Sequence, residues 1–287
     1  MYLPFTAASQ TIPPALATTC PHPVDLVFLV DSSESFRTSG FDDAKLFLQN
    51  VVNYFTLGEN DTRVGVVTFS NADKQVTWVR LNENYTRVEL LEEIGNIPYD
   101  RGSTYTGLGL DYVRNNSFLE VNGRRSSTLD FLVVLTDDVP EDDVIVPAQL
   151  IRDMGITVFV VGVGEESDIS QATLETIAGD PSRVFRLTDH GELAESVRAR
   201  AIGGNICNAA ECPALTAPTN GALSTPATSY LTVVTFTCNP GYVLTGAVNA
   251  MCQANMTWSN TVPTCPRKTT CKLTYASNVY SVQTFTR

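Results

Sequence analysis

Three polar side chains with metal-binding chemistry follow the apolar stretch 25–30. Asp31, Ser33 and Ser35 occupy alternating positions at its end. Carboxylate and hydroxyl oxygens are hard ligands, and they suit Mg²⁺, Mn²⁺ or Ca²⁺ better than zinc. Because these side chains bring only one negative charge to a divalent ion, the bound cation would still attract an anion, such as a carboxylate of a partner protein. The spacing therefore indicates a divalent cation site at the end of a strand.

Two more groups of oxygen donors lie further along the chain. The loop 101–107 contains hydroxyl side chains between two glycines, with Thr104 at its centre. Asp137 follows the apolar run 130–135 directly after Thr136. In open α/β sheets, ligands bind beyond the carboxyl ends of the strands, where the strand order reverses. We therefore expect the three groups of donors to meet at one edge of a sheet.

An alternation of strands and helices is predicted to position these donors. Near-continuous apolar and β-branched runs, typical of strands buried on both faces, predict strands at 25–30, 63–69, 76–81, 130–135, 157–162 and 183–187. Helical periodicity between them predicts helices at 41–55, 87–95, 106–118, 144–154, 169–178 and 191–202. This order predicts an α/β fold, with a doubly wound, mostly parallel sheet and right-handed crossovers.

The donors and their order resemble the metal-ion-dependent adhesion site of von Willebrand factor type A domains. The resemblance rests on Asp-x-Ser-x-Ser at 31–35, Gly-Ser-Thr-Tyr-Thr-Gly at 102–107 and Leu-Thr-Asp at 135–137. The order of elements matches over 24–206, and we place the domain at 20–207. The family implies a Rossmann-like fold with the metal site at the carboxyl edge of its sheet.

The resemblance also implies a role for each donor. Ser33, Ser35 and Thr104 would ligate the cation through their hydroxyls, while Asp31 and Asp137 would lie close by and act through waters. The last coordination position is left for an acidic side chain of the binding partner. Mg²⁺ is the expected cation, with Mn²⁺ and Ca²⁺ as alternatives.

Two positions depart from the family pattern without removing a ligand. Asp138 and Ser103 stand where the family often has glycine. Asp138 adds negative charge at the rim, which would either strengthen cation binding or repel an acidic partner. Two other interpretations stay open: the polar residues are ordinary turns and caps, or a bound cation only ties the loops together.

Charge and cysteine content divide the chain into two parts. Residues 1–206 contain 30 acidic and 15 basic side chains, whereas residues 207–287 contain one acidic and four basic ones. The acidic part argues against nucleic acid and anionic membranes as partners. Six of the seven cysteines fall in the second part, which indicates disulfides and an oxidising compartment. Sequons fit a secreted glycoprotein and begin at Asn60, Asn84, Asn115 and Asn255.

The cysteine-rich part resembles a sushi (complement control protein) module over 212–265. Four cysteines alternate with turn and strand signals, and Trp258 lies between the last two. Spacing alone allows three pairings, and the resemblance implies the pairs Cys212–Cys252 and Cys238–Cys265. Such a small, disulfide-rich, all-β module needs cross-links because its core is too small to keep it folded. Trp258 is expected to fill that core.

The remaining segments complete the predicted organisation. Cys20 and Cys207 flank the α/β domain and are expected to pair, as in many extracellular members of the family. Residues 1–19 are expected to be a disordered lead without a convincing signal peptide. Residues 266–287, in which Cys271 has no expected partner, are interpreted as a tail or the start of a further module. We therefore expect a fragment of a longer secreted protein.

An enzymatic function is not expected. The two histidines, His22 and His190, are predicted to lie outside the strand ends, so a Ser-His-Asp triad has no base there. The run 162–164 lacks the third glycine of a nucleotide-binding loop, and Glu165 and Glu166 would repel a pyrophosphate.

The sequence thus predicts an extracellular protein-binding or adhesion module. It would recognise an acidic residue of a matrix or cell-surface protein through a divalent cation, with the sushi module as a spacer or second contact. The alternative is a fragment of a complement-like or multimodular regulatory protein in which the α/β domain docks or regulates an enzyme.

Overall fold

The computed structural model describes residues 23–268, except 84, 127, 209–210, 229–231 and 254–256. The chain separates into two compact units, the first ending at Glu211 and the second beginning at Cys212. The predicted lead at 1–19 lies outside the described residues. Within those residues, no helix has the length and apolar character needed to cross a membrane.

The first unit alternates strands and helices, as predicted. Its strands are β1 (Val24–Asp31), β2 (Thr62–Phe69), β3 (Gln75–Val79), β4 (Leu129–Thr136), β5 (Thr157–Val163) and β6 (Val184–Leu187). Its helices are α1 (Arg37–Val52), α2 (Arg87–Asn96), α3 (Thr106–Asn116), α4 (Ile145–Asp153), α5 (Gln171–Ala178) and α6 (Ser196–Asn208). Short 3-10 turns lie at Glu34–Phe36, Glu120–Asn122, Pro181–Arg183 and His190–Ala194.

The six strands form one sheet in the order β3-β2-β1-β4-β5-β6. All neighbouring pairs are parallel except β2 and β3. From β1 the chain goes to β2 on one side, and it later returns to β4 on the other side, so the strand order reverses between β1 and β4. The predicted doubly wound, mostly parallel sheet is therefore confirmed, and its switch point lies between the two strands that end in the predicted donors.

Burial explains why these segments fold as they do. Every residue of β1 and β4 is buried, because helices cover both faces of the sheet centre. The buried face of α1 repeats at helical spacing and consists of Phe41, Ala44, Phe47, Leu48, Val51 and Val52. The central strands are thus fixed from both sides, and the loops at their ends start from rigid positions.

Several helix boundaries differ from the prediction, and the largest differences are at the start of α1 and in the segment after β6. α1 begins at Arg37 rather than at 41, because its first turn is exposed and adds nothing to the apolar periodicity. The helix predicted over 191–202 is a 3-10 turn at His190–Ala194 followed by α6. The Asp189 carboxylate accepts the Glu192 N–H and caps that turn separately.

The second unit is a small, disulfide-rich, all-β module. β7 (Gly221–Leu223), β8 (Val233–Cys238) and β9 (Asn249–Met251) form an antiparallel sheet in that order. Val234, Phe236 and Ala250 form its buried core, and Trp258 packs against them as expected. The Trp258 indole N–H also donates to the Pro213 carbonyl at 2.8 Å. The structure links Cys212 to Cys252 and Cys238 to Cys265, the two pairs that the sushi resemblance implies.

Candidate metal site

The site begins where β1 and β4 end side by side. Their parallel register pairs Val30 with Leu135, so that Asp31 and Thr136 follow at the same level of the sheet. The Thr136 hydroxyl donates to Asp31 Oδ2 at 2.8 Å. Both side chains are fully buried. The first predicted donor is therefore fixed by the neighbouring strand.

The turn after β1 brings its hydroxyls to the second aspartate. The Ser33 N–H donates to Asp31 Oδ1 at 2.8 Å. The Ser33 and Ser35 hydroxyls lie 2.9 Å apart, and Ser35 Oγ donates to Asp137 Oδ1 at 2.7 Å. Four of the five predicted donors thus form one chain of hydrogen bonds.

Backbone hydrogen bonds hold the loop of Thr104 between the other two loops. The Glu34 N–H donates to the Gly102 carbonyl at 2.8 Å, and the Gly102 N–H donates to the Ser32 carbonyl. On the other side, the Glu141 N–H donates to the Thr104 carbonyl at 2.9 Å. Thr104 itself is buried. The three predicted loops therefore meet at one edge of the sheet.

Asp142 also supports this arrangement, and the sequence did not indicate it as part of the site. Its two carboxylate oxygens accept the N–H groups of Gly107 and Leu108 at 2.8 and 2.7 Å. These N–H groups belong to the first turn of α3, where a carboxylate is favourable. A Cβ at Gly107 would lie 2.1 Å from the Asp143 carbonyl oxygen, so only glycine fits there. The signal was present as an acidic run, but its partner helix could not be identified from spacing.

His190 lies in the site, contrary to the prediction from the sequence. Its Nε2 lies 2.9 Å from Asp137 Oδ2, so the prediction that both histidines lie away from the strand ends is wrong for His190. It follows β6, and the edge-to-face contact with Phe36, at 4.8 Å between ring centroids, helps to fix its ring. A Cβ at Gly40 would lie 2.7 Å from the imidazole, so glycine in α1 is what allows this approach.

The order of these groups does not form a nucleophile and base. Asp137 lies between Ser35 and His190, and each contacts a different oxygen of its carboxylate. In a Ser-His-Asp triad the histidine must receive the serine proton, and the aspartate must lie behind the histidine. The arrangement therefore resembles a polar network around a carboxylate rather than a triad.

Burial disfavours the charged form of the aspartate at the centre of the site. Burial, and secondly the charge of Asp137, raise the pKa of the Asp31 carboxyl to about 7. Among the described residues, no lysine or arginine forms an ion pair with either aspartate. A buried carboxylate without a positive partner is costly, and a divalent cation would relieve that cost.

The spacing of the donors suits a small octahedral cation. Adjacent ligand atoms around a cation with bonds of 2.0–2.1 Å lie about 2.9 Å apart, which is the geometry Mg²⁺ requires. The hydroxyls of Ser33 and Ser35 have this separation. Within the described ranges, no group of three or more His, Cys, Asp or Glu side chains forms a metal cluster. A cation here would therefore depend on the hydroxyl donors.

The other predicted sites are placed only in part. Asn60 and Asn115 are exposed, while Asn84 and Asn255 lie outside the described residues. Cys207 is disulfide-bonded, and Cys20, its expected partner, also lies outside the described residues.

Matching family models divide the chain at the same place as the structure. The von Willebrand factor type A domain matches residues 25–199, and the Sushi repeat (SCR repeat) matches residues 212–265. The human collagen alpha-5(VI) chain is 32% identical over 192 residues, which cover 67% of this chain and 7% of that protein. Matrilin-1 of Gallus gallus is 34% identical over 177 residues, covering 61% of this chain and 34% of that protein. The chain thus spans about a third or less of these relatives.

A solved structure with this fold comes from the mussel byssus. Proximal thread matrix protein 1 matches with a TM-score of 0.60 at 24% identity, covering 66% of this chain and 49% of that one. A second structure of that protein is described as having a zinc-occupied MIDAS motif. Because the first family model matches more than half of this sequence, the chain belongs to the von Willebrand factor type A domain family, and a Sushi repeat follows that domain.

Proposed function

We propose that this chain is an extracellular adhesion module that binds an acidic residue of a partner protein through a divalent cation. The binding domain spans 20–207, and the sushi module spans 212–265 and acts as a spacer or second contact. The cation is Mg²⁺, with Mn²⁺ and Ca²⁺ as alternatives. Its ligands, direct or through water, are Asp31, Ser33, Ser35, Thr104 and Asp137.

One observation carries the proposal. Asp31 is completely buried at the switch point of the sheet, and the structure pairs it with hydroxyl and amide donors rather than with a cationic side chain. Ser33 and Ser35 lead from it to Asp137 with separations of 2.9 and 2.7 Å. Side-chain oxygens with little total charge, gathered around a buried carboxylate, favour a divalent cation over a structural ion pair.

The same charge balance explains why the partner would be acidic. The site is rich in neutral hydroxyls, so a bound divalent cation keeps part of its positive charge. A carboxylate from the partner then forms a charge-assisted contact with the cation and fixes the partner's orientation. The hydroxyl-rich donor set therefore favours binding of an acidic residue over catalysis, and we propose that the chain is not an enzyme.

The setting of the site supports a matrix or cell-surface partner. The relatives are collagens and a matrilin. The second unit has two disulfides in a small module, a combination typical of secreted proteins. We extend the proposal to a Cys20–Cys207 bridge and to N-glycosylation at Asn60, Asn84, Asn115 and Asn255.

The test measures binding of the full chain to a surface coated with matrix extract or purified collagens. The wild type is tested at a Mg²⁺ concentration of about 1 mM, because extracellular modules bind divalent cations in this concentration range. Binding to the surface should be lost when EDTA is added, and it should be lost in the Ser33→Ala variant. Ser126→Ala is the matched control, because Ser126 is exposed beside the amino end of β4, at the opposite edge of the sheet. Binding that survives both chelation and Ser33→Ala would contradict the proposal.

A further inference from the structure

The contact between His190 and Asp137 places a nitrogen donor beside a site that is otherwise built from oxygens. The His190 side chain is 28% exposed, and its Nε2 lies 2.9 Å from Asp137 Oδ2. Imidazole nitrogen is a good ligand for Zn²⁺ and other borderline metals and a poor one for Mg²⁺ and Ca²⁺. The oxygen donors alone would not provide this discrimination.

The ring is held in position before any cation arrives. Phe36 contacts it edge-to-face, and the absence of a side chain at Gly40 makes room for it. Asp189, the residue before it, caps the 3-10 turn in which His190 is the first residue. A ligand whose rotamer is fixed by packing loses little entropy when it binds a metal.

An open cavity gives ions access to this pair. It has a volume of about 690 Å³ and is bordered by Ser35, Asp137 and His190. Further carboxylates around it are those of Glu34, Asp138, Asp168 and Asp189. Among the described residues that line it, Arg37 is the single arginine. The lining is therefore strongly negative, which raises the local concentration of divalent cations.

We propose that His190 is a cation-selecting ligand, which lets the site bind Zn²⁺ through Nε2 together with Asp137. The inference rests on the proposed cation site and names its ion preference. In the structure, Nε2 of His190 and Oδ2 of Asp137 share a hydrogen bond. Zn²⁺ would replace this bond: the Nε2 lone pair and the Asp137 carboxylate would each bond to the ion, and a proton held on Nε2 would pass to Nδ1 or to water.

The observed separation is compatible with this exchange. Two ligand atoms about 2.05 Å from one Zn²⁺ lie about 2.9 Å apart at a right angle and about 3.3 Å apart in a tetrahedron. The 2.9 Å between Nε2 and Oδ2 equals the first value and requires only a small adjustment for the second. The hydroxyl of Ser35 lies 2.7 Å from the other oxygen of Asp137 and borders the same cavity.

The test compares Zn²⁺ and Mg²⁺ binding to the full chain by isothermal titration calorimetry. His190→Phe keeps an aromatic ring against Phe36 but removes both nitrogens. His190→Gln keeps an N–H donor for Asp137 but is a poor zinc ligand. We expect each variant to weaken Zn²⁺ binding about tenfold or more, the scale on which metal-site partners act, and to change Mg²⁺ binding less than about threefold, since Mg²⁺ prefers oxygen.

Nitrogen NMR of His190 distinguishes a zinc ligand from a residue that only orients Asp137. Zn²⁺ should shift the Nε2 signal of His190, while Mg²⁺ should leave it in place. The chain has one other histidine, so His22→Gln controls for zinc bound by that imidazole and should retain the wild-type Zn²⁺ affinity. Circular dichroism of each variant without metal establishes that it is folded.

Three outcomes would overturn the inference. They are wild-type Zn²⁺ affinity in His190→Gln, equal losses for Zn²⁺ and Mg²⁺ in His190→Phe, and no shift of the His190 nitrogen with zinc. The first two would make His190 only a positioning residue for Asp137. Failure of the proposed function is distinguishable, because then Mg²⁺ would not bind the wild type, or Ser33→Ala would not alter its binding.

Discussion

The hydroxyl of Thr136 donates to Asp31 across the boundary between β4 and β1, at 2.8 Å. This bond joins the ends of the two strands at which the strand order reverses. It fixes the carboxylate from which the chain of hydroxyls leads to Asp137. The proposed metal site is therefore attached to the buried centre of the sheet.

Replacing this hydroxyl should destabilise the domain. Thr136→Val leaves a buried carboxylate with one fewer donor, which costs about 1–3 kcal/mol. Urea unfolding in EDTA measures this loss in the free energy of unfolding. Thr106→Val is the matched control. Thr106 is equally buried, but its hydroxyl has no hydrogen-bond partner among the residues that the structure describes, so loss of this hydroxyl should be neutral or stabilising. Equal losses in both variants would show that the Thr136 bond adds nothing.

Cation binding should stabilise the folded domain by mass action. At a cation concentration of 100 times the Kd, the free energy of unfolding rises by about 2.7 kcal/mol. Thr104→Val should abolish this increase while changing stability in EDTA little, because it removes a proposed ligand and keeps the volume of the side chain. Thermal unfolding with Mg²⁺ and with EDTA measures both.

The control for Thr104→Val is Thr176→Val. Thr176 is half-buried on α5, away from the proposed ligands, and its hydroxyl donates to the Ala172 carbonyl. This variant should keep the full increase in stability with Mg²⁺. An unchanged Mg²⁺ response in Thr104→Val would remove Thr104 from the ligand set.

The stability of the first unit should also depend on pH through Asp130. Burial raises the pKa of this carboxyl to about 6, although Arg124 partly opposes the rise from 2.8 Å. The folded state therefore holds the proton more tightly than the unfolded state. The resulting stabilisation is complete below about pH 4 and is lost as pH rises through 6, by about 3 kcal/mol in total for a shift of this size.

Asp130→Asn should remove this dependence. We expect the free energy of unfolding of the wild type, relative to the variant, to fall between pH 4 and pH 6. Asp180→Asn is the contrasting control, because hydrogen bonds from Ser182 lower the pKa of Asp180. The stabilisation that Asp180 contributes is present above the pKa that this carboxyl has in the unfolded chain, and it is lost as the pH falls. A flat difference for Asp130→Asn would contradict the raised pKa.

The small module should depend on its two disulfides. They close segments with sequence separations of 40 and 27 residues. Loops of this length are worth about 4 kcal/mol each in the chain-entropy estimate. In a Trp78→Phe background, Trp258 is the single tryptophan and reports on the module alone. Paired Cys238→Ser and Cys265→Ser substitutions should expose Trp258 under conditions in which the parent module stays folded.

The bridge proposed between Cys20 and Cys207 is tested by a peptide map without reduction. We expect one linked peptide that contains both cysteines. Free thiols at both positions would refute the pairing.

The sequence predicts the strands of the fold better than the segments around the site. The apolar runs predicted β1 and β4 because both strands are buried on two faces, which leaves a strong local signal. The end of α1 nearest the site was less predictable. Its first turn is exposed, so periodicity does not show that it starts at Arg37.

By itself, the sequence determined the alternation of strands and helices, the carboxyl-edge location of the donors, and the cysteine-rich module that follows. These follow from local periodicity and from the rules that order parallel sheets. Only the tertiary structure decided which side chains touch. Asp142 reaches the first turn of α3, and His190 reaches Asp137 across 53 residues of sequence. Such contacts depend on where separate loops leave the sheet and which glycines allow close approach, and neither property is encoded in the spacing of the residues themselves.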